Sequence, residues 1–300
     1  MSRVARSSSG AVDEIWKLVY YGLRAVKYMA MQIVNIAAYK FVGIPEPPQW
    51  QPLIKERCDE LHLKGTVLLA TEGINLFLAG SRKSIDEFLN FLQKDPFFAG
   101  RFTELDVKES LSSNQPFRKM VVRTAAEIIT MRHPMIRPED VRAPHVDART
   151  LRKWLDHGLD DEGRELILLD TRNDFEVEMG TFENALNLKI EKFSDFPDAI
   201  SATMDKSGNA LEDKTIVSFC TGGIRCEKAV LYLQEKGHPK VFQLDGGILR
   251  YFEEVGGAHW QGECFVFDER VSLDPSLKES GKTLADRTDG KPKKPNLQAP

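Results

Sequence analysis

The sequence has few cysteines, and their spacing argues against a disulfide scaffold and a zinc site. The 300-residue chain has four, at positions 58, 220, 226 and 264, and none forms a Cys-x-x-Cys pair or a Cys/His cluster with zinc spacing. No secretory signal precedes them, so we expect a reducing, cytoplasmic location. The sequence indicates no metal and no bound cofactor.

Long apolar runs and strongly basic segments are also missing. The apolar stretch 15–34 is interrupted by Lys17, Arg24 and Lys27, which argues against a membrane span and a membrane partner. The net charge is −4, and no region has the dense basic composition that is typical of nucleic-acid-binding proteins. An apolar fraction of 42% and a charged fraction of 29% instead indicate a globular protein. Composition by itself therefore does not argue for a nucleic-acid partner.

The chain is long enough for two domains, and its first half follows the order βαββαβ of a ferredoxin-like sandwich. Pro47 and Pro48 can open a helix with one apolar face. Ser84 and Glu87 have the spacing of a capping box for a second helix. The predicted segments are an N-terminal extension with an amphipathic helical pattern (1–30), a ferredoxin-like domain (31–113), a connector with strands (114–145), an α/β domain (146–271) and a disordered tail (272–300).

The second half alternates apolar strands with helical segments, which predicts a central parallel sheet with helices on both faces. Functional loops in such folds lie at the carboxyl ends of the strands. Cys220 occupies one such end, in the stretch "SFCTGGIRCEKA" (218–229), between a predicted strand and a predicted helix.

The loop after Cys220 has the composition of an anion site. Gly222 and Gly223 permit a turn that points successive N–H groups inward, and the positive end of the following helix adds to their effect. Arg225 brings a formal positive charge, so a thiolate or a persulfide at Cys220 would be stabilised. Two alternatives stay open: Cys220 could be an ordinary core residue, and Cys226 could either fill the first helical turn or resolve an oxidised Cys220.

These residues resemble the active-site loop of the rhodanese homology domain, in its tRNA uridine hydroxylase branch. The segment "LILLDTRNDFEVEMGTFENALNL" is similar to the rhodanese stretch with an Asp-x-Arg followed by Glu and Gly, and "VFQLDGGI" and "CFVFDERV" match later parts of the domain. The stretch "LATEGINLFLAGS" resembles the amino-terminal domain of the same hydroxylases. The matching positions are Asp170, Arg172, Glu176, Gly180 and Ala185.

The resemblance implies an oxidoreductase that forms 5-hydroxyuridine at the wobble position of tRNA, with molecular oxygen and a reductant as co-substrates. The tRNA partner would be bound at its anticodon loop, and the catalytic persulfide would be on Cys220. The alternatives are a sulfurtransferase that moves sulfane sulfur to a thiol acceptor and a non-catalytic binding module. Cysteine-dependent phosphatases have a C-x5-R loop, one residue longer than the C-x4-R loop here, which argues against phosphatase chemistry.

The predicted site residues fall into three groups. The first is the catalytic Cys220 with its loop residues Thr221, Gly222, Gly223, Ile224, Arg225 and Cys226. The second is a supporting buried ion pair, Asp170 with Arg172. The third is a set of surface cations that could contact RNA phosphates, namely Arg82, Lys83, Arg118, Lys119 and Arg123.

Overall fold

The computed structural model describes residues 32–207 and 213–280. The predicted N-terminal extension and residues 281–300 lie outside the described residues. The strands are β1 (Ile33–Phe41), β2 (Lys64–Ala70), β3 (Gly73–Gly80), β4 (Asp106–Ser112), β5 (Met120–Thr124), β6 (His145–Val146), β7 (Leu166–Asp170), β8 (Gly180–Phe182), β9 (Leu186–Asn187), β10 (Thr215–Phe219), β11 (Val241–Leu244), β12 (Trp260–Gly262), β13 (Cys264–Phe265) and β14 (Ser272–Leu273). The α-helices are α1 (Pro47–Glu60), α2 (Arg82–Lys94), α3 (Ala148–His157), α4 (Asp174–Val177), α5 (Phe196–Ser207), α6 (Ile224–Glu235) and α7 (Gly247–Val255).

The first sheet has the strand order β4-β1-β3-β2-β5, and its first four strands are antiparallel. With α1 and α2 these strands form the predicted βαββαβ unit, which confirms the ferredoxin-like fold. Strand β5, which the sequence analysis assigned to the connector, pairs in parallel with β2. The first sheet therefore extends beyond residue 113.

Helices α1 and α2 cover one face of this sheet because their apolar stripes are buried against it. Trp50, Ile54 and Phe88 on the helices pack with Ile36 of β1 in one core. The predicted capping box at Ser84 is wrong. The helix begins one turn earlier, where the Ser81 hydroxyl accepts a hydrogen bond from the Ser84 N–H at 3.1 Å.

The second sheet has the order β6-β11-β10-β7-β9 and is parallel throughout, as predicted. Its central strand is buried on both faces because helices cover both. Ile216 of β10 packs with α5 and α6, whereas its neighbour Val217 packs with α3 and α7. Such double burial explains the continuous apolar runs of these strands.

The predicted disordered tail begins too early. Strand β14 pairs antiparallel with β13, and both of its residues are buried. The pairing continues the α/β domain past residue 271, because the backbone groups of Ser272 and Leu273 find partners on β13. Among the described residues, no helix is both long and apolar enough to span a membrane.

Candidate active site

The predicted loop lies at the carboxyl edge of the parallel sheet. Strand β10 ends at Phe219 and helix α6 begins at Ile224, so four residues, 220–223, connect them. Gly223 has φ of 98°, a left-handed conformation that favours glycine. A Cβ at this position would lie 2.9 Å from the hydroxyl oxygen of Tyr39 on β1. The turn therefore requires glycine both for its backbone angle and for the close approach of the first sheet.

The N-terminus of α7 holds the loop carbonyls away from the sulfur. The N–H of Ile248 donates to the Cys220 carbonyl oxygen at 3.0 Å, and the N–H of Leu249 donates to that of Thr221 at 3.1 Å. The Gly223 N–H points the other way and donates to Cys220 Sγ at 3.1 Å. An anion site at the sulfur requires carbonyl oxygens that point away from it and N–H groups that point toward it, and the loop has this arrangement.

Hydrogen bonds and charge overcome burial at the sulfur of Cys220. Burial alone would raise the pKa of this thiol. The thiol of Cys226, the charge of Arg225 and the N–H groups of Arg225 and Gly223 together lower the pKa from 9.0 to about 5. Burial, together with the hydrogen bond that its thiol donates to Cys220, raises the pKa of Cys226 well above its usual range. The pair is therefore one thiolate and one thiol at neutral pH.

Arg225 is held in place by a carboxylate that the sequence analysis matched to the family without giving it a role. Its Nη1 lies 2.6 Å from Glu176 Oε2 and its Nη2 lies 2.9 Å from Oε1, with both side chains buried. The Nε of Arg225 is buried and has no hydrogen-bond partner among the described residues. The charge of this oriented cation is one of the influences that lower the pKa of Cys220.

Asp170 and Arg172 form a fully buried ion pair with each other, 2.6 Å from Nη2 to Oδ2. Arg172 Nη2 also donates to the Gly180 carbonyl at 2.7 Å, and the Thr181 hydroxyl donates to Asp170 Oδ2 at 2.8 Å. These bonds fix β8 to the end of β7. Thr171, between the two residues in the chain, joins them to the end of β10 just before the loop, because its N–H donates to the Phe219 carbonyl at 3.0 Å.

The Cys220 loop forms one wall of a cleft, and the first sheet forms the other. The loop and the start of α6 line the cleft with Cys220, Thr221, Gly222, Ile224 and Arg225. The facing wall includes Tyr39 of β1, Phe77 of β3 and Lys108 of β4. Sequence reasoning missed these three residues.

The sequence of β1 does contain a pattern that indicates the first-sheet wall of the cleft. Along β1, the buried core residues Ile36 and Ala38 alternate with Asn35 and Tyr39. Successive strand residues point to opposite faces, so period-two alternation separates the core face from a second, more polar face. That pattern identifies a second face, although it does not identify what covers it.

Side-chain contacts of helix α6 join the walls. The Tyr39 hydroxyl donates to Glu227 Oε1 on α6 at 3.3 Å. Burial, followed by the charge of Glu227, raises the pKa of Tyr39 well above 10, so its hydroxyl remains a donor. Lys228 Nζ lies 2.8 Å from Glu72 Oε2 in the β2–β3 turn and 2.6 Å from Glu127 Oε2 after β5. The residues that follow Arg225 in α6 thus dock the α/β domain onto the first sheet.

None of the five predicted RNA contacts is among the residues that line the cleft in the described part of the chain. Arg82 is paired with Glu109, which does line it, and Arg118 is paired with Glu269 across the two domains. Lys83 has a highly exposed side chain, 3.7 Å from Glu87. Arg82 thus pairs with a residue of the cleft, and Arg118 directly follows Phe117, which lines it.

Two family models match the chain. Residues 33–128 match the UPF0176 acylphosphatase-like domain, and residues 151–254 match the rhodanese-like domain. The chain is 58% identical over 248 residues to a Burkholderia cenocepacia protein named tRNA uridine(34) hydroxylase, a match that covers 83% of this chain and 86% of the relative. A Burkholderia thailandensis protein of the same name is 58% identical over 247 residues, 82% of each chain.

Solved structures resemble each half of the chain separately. The rhodanese-like domain of an Anabaena protein covers 40% of this chain and 79% of its own, at 22% identity and a TM-score of 0.31. An acylphosphatase from Coxiella burnetii covers 31% of this chain and 93% of its own, at 18% identity and a TM-score of 0.23.

Proposed function

The chain belongs to the tRNA uridine(34) hydroxylase family. On that premise we propose that it hydroxylates uridine 34 of tRNA and uses a sulfur anion on Cys220 for the reaction. The reaction converts the C5–H bond of the uracil into C5–OH. One atom of molecular oxygen enters that bond, and the other leaves as water with two electrons and two protons from a reductant. The anticodon loop would bring its single-stranded base to the enzyme.

The observation that carries the proposal is the position of Cys220 Sγ. It accepts the Gly223 N–H at 3.1 Å, has its pKa lowered to about 5, and lies on a cleft wall. A thiolate in that setting is ionised at neutral pH and lies in the wall of the cleft between the two domains. A persulfide would carry its charge on the outer sulfur, and the positive charge of Arg225, which already stabilises the thiolate, would stabilise that charge as well.

The comparisons do not favour the sulfurtransferase alternative, since the curated relatives are named as hydroxylases. A cytoplasmic location stays a prediction.

The test is complementation of a bacterial strain from which its own uridine-34 hydroxylase gene has been deleted. Nucleosides from digested tRNA are measured by liquid chromatography–mass spectrometry. The wild-type protein should restore 5-hydroxyuridine or its derivatives, and Cys220→Ser should restore none. Cys58→Ala is the matched control, because Cys58 lies on α1 in the core of the first domain.

The outcomes separate the two parts of the proposal. Absence of 5-hydroxyuridine with the wild-type protein, at a normal protein level, contradicts the hydroxylase function. Restoration by Cys220→Ser would leave the function standing and contradict the role of Cys220.

A further inference from the structure

The face of the first sheet that carries no helices has polar side chains among apolar ones, and it faces the Cys220 loop. Strand β4 places Asp106, Lys108 and Ser110 at every second position, so all three lie on one face. Lys108 is directly opposite Ala37 of β1, and Ala37, Lys108 and Ser110 all line the cleft.

Lys108 is a buried cation whose ammonium group forms one ion pair among the described residues. Its side chain is 4% exposed, and its Nζ lies 2.7 Å from Asp106 Oδ2 and 5.1 Å from the centre of the Tyr39 ring. An ammonium carries three N–H donors, and one carboxylate oxygen occupies one of them. Asp106 is also paired with Arg250 of α7, so its negative charge is shared between two cations.

The two walls of the cleft thus offer complementary groups to a flat base. Phe77 and Phe267 line it with their ring centres 6.0 Å apart, and aromatic faces are the usual stacking surfaces for unpaired bases. Lys108 provides a donor that cannot accept a hydrogen bond. Uracil has an acceptor, its C4 carbonyl oxygen, where cytosine has a donor, its amino group.

We propose that Lys108 is a specificity-determining residue, which donates a hydrogen bond to the C4 carbonyl oxygen of the target uracil and so selects uracil over cytosine. This inference rests on the proposed function, because it takes the base in the cleft to be that of residue 34. Cytosine at the same place would set its amino group against the ammonium and leave two donors facing each other in a buried site.

The test measures binding by fluorescence anisotropy with two anticodon stem–loops that differ only in having uridine or cytidine at position 34. Contacts to phosphate contribute equally to both, so the ratio of the two dissociation constants isolates the base. The wild-type protein should prefer the uridine stem–loop about tenfold, as expected for a hydrogen bond to a charged group. Lys108→Met keeps the length of the side chain without the charge and should bring the ratio close to one.

A purely structural role for Lys108 predicts a different result. Lys108→Met would then weaken the binding of both stem–loops alike and leave the ratio unchanged, which overturns the inference. Equal binding of the two stem–loops by the wild-type protein also overturns it. Lys153→Met on α3, an exposed lysine paired with Asp161, is the matched control and should keep the tenfold preference.

A second variant keeps the test decisive where Lys108→Met does not fold. The amide of Lys108→Gln can donate or accept, so this variant should also lose the preference, and retention of the preference overturns the inference. The readout is separate from that of the proposed function. A wild-type protein that makes 5-hydroxyuridine but binds both stem–loops equally contradicts only the role of Lys108.

Discussion

The guanidinium of Arg225 is clamped by the carboxylate of Glu176 through two parallel hydrogen bonds of 2.6 and 2.9 Å. The clamp engages both η nitrogens, so the cation beside Cys220 has a fixed orientation. Glu176 lies on α4, after β7, whereas Arg225 lies on α6, after β10. The ion pair therefore links two strand ends at the sheet edge where the site is built.

Glu176→Gln should lower the free energy of unfolding by about 3 kcal/mol or more, because it leaves a buried guanidinium without a counter-charge. Urea denaturation followed by circular dichroism measures the loss. Glu109→Gln is the matched control, since Glu109 pairs with the half-exposed Arg82, and it should change stability by about 1 kcal/mol at most. Equal losses in the two variants would contradict the buried clamp.

The glycine pair of the loop offers a matched comparison one residue apart. A Cβ on Gly222 meets no atom within 4 Å, whereas one on Gly223 meets the Tyr39 hydroxyl at 2.9 Å in a backbone with φ of 98°. Gly223→Ala should therefore cost about 1–3 kcal/mol of stability. It should also raise the pKa of Cys220, because the Gly223 N–H moves from the sulfur.

Gly222→Ala should change stability by about 1 kcal/mol at most and leave the Cys220 titration as in the wild-type protein. Both variants are measured by urea denaturation and by the ultraviolet absorbance of the thiolate as a function of pH. A Cys220 pKa above the wild-type value in Gly222→Ala, or one equal to the wild-type value in Gly223→Ala, would show that the Gly223 amide is not the donor that keeps the sulfur ionised.

The loop could be predicted from the sequence because its parts are close together in the chain. Cys220, the glycine pair and Arg225 fall within six residues, and a strand followed by a helix fixes their place in an α/β fold. The resemblance to the rhodanese domain marked Glu176, but the pairing of Glu176 with Arg225 spans 49 residues. A local pattern does not specify contacts at that separation.

The facing wall of the cleft could not be predicted, because it depends on how two domains dock. The polar alternation in β4 marks Lys108 as lying on the face away from the helices, yet the same alternation would suit an exposed sheet face. Docking of the two domains, to which Tyr39 and Lys228 contribute, brings Lys108 to the cleft that Cys220 lines. The helix start at Ser81 shows a smaller difficulty, since two serines three residues apart both fit a cap.

The stability of the protein should depend on pH through Cys220. The folded state lowers the pKa of this thiol from 9.0 to about 5, so between these values the unfolded chain binds one more proton than the native protein. The contribution of the thiolate is complete above pH 9.0 and is lost as the pH falls through about 5. The free energy of unfolding of the wild-type protein, minus that of Cys220→Ser, should therefore rise with pH across this window.

The hydrogen bond from Cys226 to Cys220 can be tested by following the ultraviolet absorbance of the thiolate as a function of pH. Cys226→Ala removes a donor to the thiolate and should move the Cys220 titration to higher pH, whereas Cys226→Ser keeps an O–H donor and should move it less. Identical titrations in the alanine variant and the wild-type protein would mean that the backbone amides and Arg225 alone keep the sulfur ionised.

Lys228→Met should show how much the docking of the two domains contributes to stability. The ammonium is 2% exposed and lies between Glu72 and Glu127, so its removal leaves two carboxylates facing each other. We expect a loss of about 3 kcal/mol or more near neutral pH, measured by urea denaturation. Lys153→Met, which removes an exposed ammonium paired with Asp161, should lose about 1 kcal/mol at most.

The loss in Lys228→Met should also depend on pH in a direction that identifies its cause. Burial already raises the pKa of Glu72 above its ordinary 4.5 in the presence of the lysine. Without the ammonium, protonation of either carboxylate removes the repulsion, so the loss relative to the wild-type protein should shrink as the pH falls. A loss that stays constant with pH would instead point to the missing packing of the lysine side chain, whose Nζ lies 5.8 Å from the centre of the Phe41 ring.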